Sequence, residues 1–272
     1  MIRMIAVDLD GTLLAGKSNL PEENVRALRR AMDAGVQVAI VSGRMIESTL
    51  PIAEAIGVNA PMSLFNGAML YDLRSDAILS GTMLSMETAR RILRELERIG
   101  VHTQAFPGRG FYMEKADAWS AYYTDKVGVT GIETGVKLSE WLETDVFKLL
   151  CLGESAELSA VQAKLIPMFP EATFVKSADT HLEIVARGVD KATGLRELSA
   201  KLGIAPEEII AFGDEMNDLP MIEFAGTGYA MENGAAELRA RARCIAPKNT
   251  DCGVARIVNL FMNEGRMGGC AE

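Results

Sequence analysis

Asp8 and Asp10 flank Leu9 just after a short apolar run, residues 4–7. In extended backbone, residues i and i+2 point the same way, so the two carboxylates share one mouth. Gly11 follows at a turn that calls for positive φ, and Thr12 adds a hydroxyl and a backbone N–H beside them. Three further segments bring complementary groups. Ser42-Gly43-Arg44 ends a second apolar run, where a hydroxyl and backbone amides near a helix start form an anion cradle. Gly213-Asp214-Glu215-Met216-Asn217-Asp218 ends another and supplies two more aspartates and an amide. Lys191 opens a helical pattern and contributes a compact positive charge. Four aspartates at one rim repel one another unless a cation neutralises them, and hard oxygen ligands with spare water positions favour Mg2+. A carboxylate nucleophile, a second carboxylate to move protons, a Mg2+ site, a hydroxyl and a lysine together specify phosphoryl transfer through an aspartyl phosphate. Each segment alone says less. DLDGT by itself is equally a solvated acidic turn, SGR an ordinary loop, and one lysine a surface residue.

The rest of the composition removes competing chemistries. Cys151, Cys244, Cys252 and Cys270 form no CxxC pair, and His102 and His181 are the only histidines. A structural zinc site needs about four nitrogen or sulfur ligands, and a Ser/His/Asp triad needs a base beside its nucleophile. Both lack residues here. Cys151, inside the apolar run 146–152, reads as packing, and His181 as a polar residue at a strand end. The net charge of −9 opposes nucleic acid as a partner, since phosphate backbones are bound by a basic footprint. No apolar stretch approaches the roughly 18 residues of a membrane span. Asp8 and Asp10 also interrupt what would be the apolar part of a signal peptide. A cytoplasmic protein without membrane contact or disulfides is the expectation.

The elements that must position these groups follow from periodicity. Residues 4–7, 36–41, 62–65 and 209–212 are short apolar runs that read as buried strands. Helical patterns lie between them at 21–34, with Pro21 at the first helical position, and at 45–56, 191–202, 219–224, 235–242 and 254–262. Strands apolar on both faces, alternating with helices, imply a doubly wound parallel sheet covered on both sides, a Rossmann-like α/β core. In such sheets ligands collect beyond the carboxyl ends of the strands, where the candidate residues fall. Asn66-Gly67 between two apolar pairs signals a hairpin. Residues 81–181 read differently, with helices at 85–99 and 155–165 and strands at 101–106, 111–114, 146–152 and 173–176. That order suits an α+β module inserted into a core made of residues 1–80 and 182–272. Ten of the sixteen aromatics lie in the insert, as core filling or as the lining of a substrate pocket. The tail 265–272 reads as frayed.

Taken in order, DLDGT at 8–12, SGR at 42–44, Lys191 and GDEMND at 213–218 resemble the four motifs of the haloacid dehalogenase superfamily. The insert between the second and third motifs is similar to that of the Cof-type sugar-phosphate phosphatases. Asn66-Gly67, the run 188–191 and the stretch 229–235 match the habits of that subfamily. The resemblance implies that Asp8 attacks phosphorus and ligates Mg2+. Asp10 would protonate the leaving alcohol, later activate water, and lend its backbone carbonyl to the metal. Asp214 would be the third protein ligand, with Asp218 holding the metal's surroundings from behind. Ser42, Gly43, Asn217, Lys191 and the amides around Leu9 would bind phosphoryl oxygens. Arg44 would join them, although Met45 stands where many relatives carry proline. The insert would be a cap that closes over the site, excludes water and reads the substrate, with Arg109, Tyr112, Lys148, Lys176 and His181 as candidate contacts.

The function expected is that of a Mg2+-dependent phosphatase, a phosphoric monoester hydrolase of the HAD type, acting on a small phosphorylated metabolite, with sugar phosphates foremost. A phosphosugar mutase on the same core is the alternative among enzymes, and a phosphosugar-binding module without catalysis is the alternative outside them. A phosphate-accepting receiver module fits poorly, since it has no need of a large insert. A monomer or weak homodimer is expected.

Overall fold

The computed structural model describes residues 1–16 and 19–268. The chain divides into two compact units, one of Met1–Arg44, Thr49–Ser80 and the chain from Asp190 onward, the other of Met45–Ser48 and Gly81–Val189.

The first unit opens with β1 (Met4–Val7), α1 (Glu22–Asp33), β2 (Gln37–Ile40), α2 (Ile46–Ile56), β3 (Met62–Leu64), β4 (Met69–Asp72) and β5 (Ala77–Gly81). Between β5 and the return to this unit come α3 (Met86–Ile99), β6 (His102–Phe106), β7 (Tyr112–Met113), α4 (Ala118–Val127), β8 (Ile132–Glu133) and α5 (Leu138–Trp141). They are followed by β9 (Lys148–Leu152), α6 (Ser155–Leu165), β10 (Ala172–Ala178) and β11 (His181–Ala186). The first unit then resumes with α7 (Lys191–Lys201), β12 (Ile209–Gly213), α8 (Leu219–Phe224), β13 (Thr227–Met231), α9 (Ala236–Arg241), β14 (Cys244–Ala246) and α10 (Gly253–Asn263).

The core sheet runs β14-β13-β12-β1-β2 with every pairing parallel. One crossover series leaves β1 towards β2 and the other runs from β12 out to β14. The strand order therefore reverses between β1 and β12, a topological switch point, and Asp8 and Asp214 follow those two strands. Ile5, Val7, Ile209 and Ile210 are fully buried. Each such aliphatic side chain contributes about 1.5–3 kcal/mol, which keeps the two strands rigid below the carboxylates. Beside β2, Val41 bridges Ser63 in parallel, and β3, β4 and β5 form a small sheet there.

The second unit has a six-stranded sheet, β10-β11-β9-β6-β7-β8. Ala105, Leu149, Cys151, Leu182 and Ile184 pack with Leu93 and Leu96 of α3 and Leu158 and Leu165 of α6. Cys151 is thus packing, and burial pushes its thiol up to about 12. Ser85 caps α3 by accepting from the Thr88 N–H, and Gly100 closes it in the left-handed conformation.

Several expectations shift. The boundary placed after residue 181 moves to 189, because β11 pairs antiparallel with both β9 and β10. Pro21 lies one residue before α1 with ψ at 131°, rather than at the first helical position. β13 and β14 complete the core sheet, and α4, α5 and β8 enlarge the insert, none of them expected. The tail is anchored as far as Gly268: Met267 bridges Ile2, and the Ile2 N–H donates to the Arg266 carbonyl at 2.8 Å. Cys270 and the rest of 269–272 lie outside the described residues. No helix among the described residues is long and apolar enough to cross a membrane.

Candidate active site

The Asp8 N–H donates to the Phe212 carbonyl at 3.1 Å, which prolongs the ladder between β1 and β12 by one residue. The chain then turns sharply, with the Leu9 carbonyl accepting from the N–H groups of Thr12, Leu13 and Leu14. Gly11 makes this turn possible: its φ is 76°, and a Cβ there would lie 2.0 Å from Asp214 Oδ2. Thr12 Oγ donates to Asp214 Oδ1 at 2.9 Å, so the first motif holds the third carboxylate directly.

Lys191 reaches the same place because Asp190 caps α7 by accepting from the Thr193 N–H at 2.7 Å. Its ammonium donates to Asp8 Oδ1 at 2.7 Å and to Asp218 Oδ1 at 2.5 Å. The other oxygen of Asp218 accepts from the N–H groups of Asp214 and Glu215. Both Asp218 oxygens are therefore taken by protein donors, whereas Lys191 takes one oxygen of Asp8 and Thr12 one of Asp214. Among the described residues, Asp8, Asp214 and Asp218 bring carboxylate oxygens within 4.8 Å of one another, and all three residues are buried.

Electrostatics show a deficit of positive charge. Burial pushes Asp8 up to about 7, against the lowering effect of Lys191 and with the help of Asp218 and Asp10. Burial, then Asp218 and Asp8, raise Asp214 well above the usual carboxylate range. Burial alone would lower the Lys191 ammonium, but Asp218 and Asp8 outweigh it and hold it above ordinary lysine. One ammonium does not balance this cluster, and a divalent cation suits it: two carboxylates with an oxygen to give, and a third locked in place behind them.

A pH dependence follows from those directions. Unfolded carboxylates titrate near pH 4. Between about pH 4 and 7 the folded, metal-free chain therefore holds protons that the unfolded chain has released, and this cluster's contribution to stability falls as pH rises. Thermal unfolding with Mg2+, compared with thermal unfolding in a chelator, should show the ion raising the unfolding temperature more near pH 8 than near pH 5. A Mg2+ effect that is equal at both, or larger in acid, would contradict it.

Asp10 is held differently. Arg44, 6% exposed, donates from Nε to Asp10 Oδ2 at 2.8 Å and from its terminal nitrogen to Oδ1 at 2.7 Å. The Arg44 guanidinium thus forks onto the second carboxylate of the first motif. Ser42 is buried, and its Oγ accepts from the Arg44 N–H at 3.2 Å. Gly43 lies between them, and Leu9 is buried at the turn. Asn217 donates from Nδ2 to Asn66 Oδ1 at 3.1 Å.

Three asparagines complete the loop after β1 that sequence reasoning did not single out. Asn24, Asn233 and Asn249 donate to the carbonyls of Leu13, Gly11 and Leu14 at 2.9, 2.8 and 2.7 Å. Asn233 lay within the stretch 229–235 already noted; Asn24, inside a helix, carried no such signal.

In the second unit the candidate contacts are engaged in packing. Lys148 pairs with Glu183 at 3.0 Å and lies 4.7 Å over the Phe106 ring. Lys176 ties β10 to Ser155 and Ser159 of α6. Tyr112 stacks on Trp141, and His181 meets Thr180 at 2.9 Å. Arg109 is exposed. Phe106, Phe111 and Tyr123 pack on one another, so these aromatics fill space.

The model of the haloacid dehalogenase-like hydrolases matches residues 5–258. The chain is 30% identical to the 5-amino-6-(5-phospho-D-ribitylamino)uracil phosphatase YitU of Bacillus subtilis, covering 96% of this chain and 97% of that protein. It is 27% identical to the pyridoxal phosphate phosphatase YbhA of Escherichia coli, over 94% and 97% of the two. Among solved structures, a haloacid dehalogenase-like hydrolase from Bacteroides thetaiotaomicron aligns with a TM-score of 0.87 at 26% identity, covering 96% of this chain and all of that one.

Proposed function

The chain belongs to the haloacid dehalogenase-like hydrolases and is a phosphatase of that family; from that premise we propose that it hydrolyses small phosphorylated metabolites, sugar phosphates foremost, through a phosphoenzyme on Asp8. One observation carries the reading: a buried Asp8, Lys191, Asp214 and Asp218 cluster at the point where the strand order reverses.

Asp8 attacks phosphorus, the bond from phosphorus to the ester oxygen breaks, and Asp10 gives its proton to the departing alkoxide. Asp10 then takes a proton from water, the water oxygen attacks phosphorus, and Asp8 is released. Arg44 holds in its fork both carboxylate oxygens of Asp10, the group that takes the proton from water in the second step. Delivering a proton in the first step requires it to turn out of that fork. Lys191, Ser42 and Asn217, with the amides near Leu9 and Gly43, meet the phosphoryl oxygens and keep the group in line. Asp8, the Asp10 carbonyl and Asp214 would hold Mg2+, with Asp218 behind them. When bound, the ion neutralises the carboxylates and draws charge from the phosphoryl group.

The names of the relatives support the substrate class. One is named for a phosphate on a ribityl chain and the other for pyridoxal phosphate, both monoesters of small metabolites. The inserted unit, residues 81–189, is the proposed reader of the leaving group. The test is a screen of phosphorylated sugars, nucleotides and cofactors with Mg2+, following both free phosphate and isomerised ester. Phosphate release from sugar phosphates that a chelator abolishes is the expected result. Isomerised ester without phosphate would make the protein a mutase, and neither product a phosphosugar-binding module.

A further inference from the structure

The loop joining β3 to β4 carries three successive positive φ angles, 52° at Phe65, 57° at Asn66 and 95° at Gly67. Glycine adopts such backbone readily, whereas a non-glycine residue there costs on the order of 1–3 kcal/mol, with asparagine among the more tolerant. Phe65 and Asn66 are nonetheless fully buried, so the strain must be offset by what the loop touches.

It touches three of the four motif segments. The Asn66 N–H donates to the Ser42 carbonyl at 3.1 Å and the Phe65 N–H to the Arg44 carbonyl at 3.2 Å. At Gly67 a Cβ would stand 2.1 Å from the Asp190 carbonyl oxygen, one residue before Lys191. The side chain of Asn66 accepts the bond from Asn217 Nδ2. Asn217 Oδ1, by contrast, is buried and has no partner among the described residues. The orientation of that amide is therefore set at its nitrogen end, by Asn66. A primary amide nitrogen carries two hydrogens, and the bond to Asn66 uses one of them. The second remains for a ligand oxygen.

We propose that Asn66 is a positioning residue for phosphate binding, acting through Asn217: it selects the end of the Asn217 amide that donates and holds it for a phosphoryl oxygen. The inference rests on the phosphatase reading and on Asn217 as a phosphate contact. Without Asn66 the Asn217 amide turns about its broad terminal torsion and presents oxygen as readily as nitrogen.

Asn66→Gly tests this, because glycine accepts a φ of 57° without strain and only the side chain is lost. Calorimetric binding of inorganic phosphate in Mg2+, which needs no turnover, should weaken about tenfold, the size of one hydrogen bond to a charged group. KM for an aryl phosphate should rise in step, with kcat changing less. The variant should unfold no more than about 3 °C below wild type. In an Asn217→Ala background, Asn66→Gly should have no further effect on phosphate affinity. An equal loss in both backgrounds, or lost affinity that tracks lost stability, overturns the proposal. A wild type that binds phosphate yet hydrolyses no ester would sink the phosphatase reading instead, and the binding cycle would still decide the role of Asn66.

Discussion

Asp8→Asn should abolish turnover while leaving the fold intact, with a fall in hydrolysis on the order of 10^4-fold or more, as when a nucleophile is removed elsewhere. An amide has no charge to attack phosphorus with, so no phosphoenzyme forms and no burst of leaving group appears with any ester. Stability should move the other way. Asp8 is held near 7 by burial against its neighbours, which means that its ionised form is disfavoured in the fold. Replacing it by a neutral isostere removes that penalty, and Lys191 keeps Asp218 as its partner. Near pH 8 and without metal, the variant should therefore unfold no lower than wild type. Stopped-flow assay and thermal unfolding check the two halves. A burst of leaving group from Asp8→Asn would overturn the assignment of the nucleophile.

Much of this site was legible because its chemistry is local. Asp8 and Asp10 alternate along one strand end, and Asp214 and Asp218 frame one short loop, so spacing alone predicts their faces. The parallel core was legible for a similar reason: β1, β2 and β12 are apolar on both faces, a pattern that few other environments produce. β13 escaped notice because Gly226 and Gly228 flank Thr227, and glycines in a short run read as a turn. β14 is three residues at an edge. α4 lacks a clean apolar stripe, and its surest mark is the box in which Asp117 and Ser120 cap one another.

What spacing does not reveal is which partner a long side chain chooses. Arg44 and Asp10 are 34 positions apart, and their pairing depends on where β2 places the loop after it. Asn66 met the same limit: its dipeptide signalled a hairpin, and the hairpin exists, but the turn is longer and its side chain faces Asn217, 151 residues on.

The Arg44 fork also sharpens the second large effect, that of Asp10→Asn. The substitution keeps Asp8 and the backbone carbonyl proposed for the metal, and removes the proton donor and the base for water. An aryl phosphate barely needs a donor, since its leaving group is already a weak base, whereas an alkyl phosphate does. The first step should survive better with the aryl ester than with the alkyl, and the second should fail with both. Rapid mixing with an aryl phosphate should give a burst of at most one equivalent, then turnover slowed by about 10^2 to 10^4-fold, the usual contribution of a general base. Acid quenching during the slow phase should trap phosphate on Asp8. The Arg44 guanidinium, almost wholly buried, exchanges a charged partner for a neutral one in this variant, which is costly. Thermal unfolding must therefore accompany the kinetics, and Arg44→Met with Asp10→Asn provides the control in which that charge is gone. If the double variant recovers stability but still bursts and stalls, the kinetic defect belongs to the missing carboxylate. Phosphate trapped on any residue other than Asp8, or equal first-step losses for aryl and alkyl esters, would overturn the division of roles.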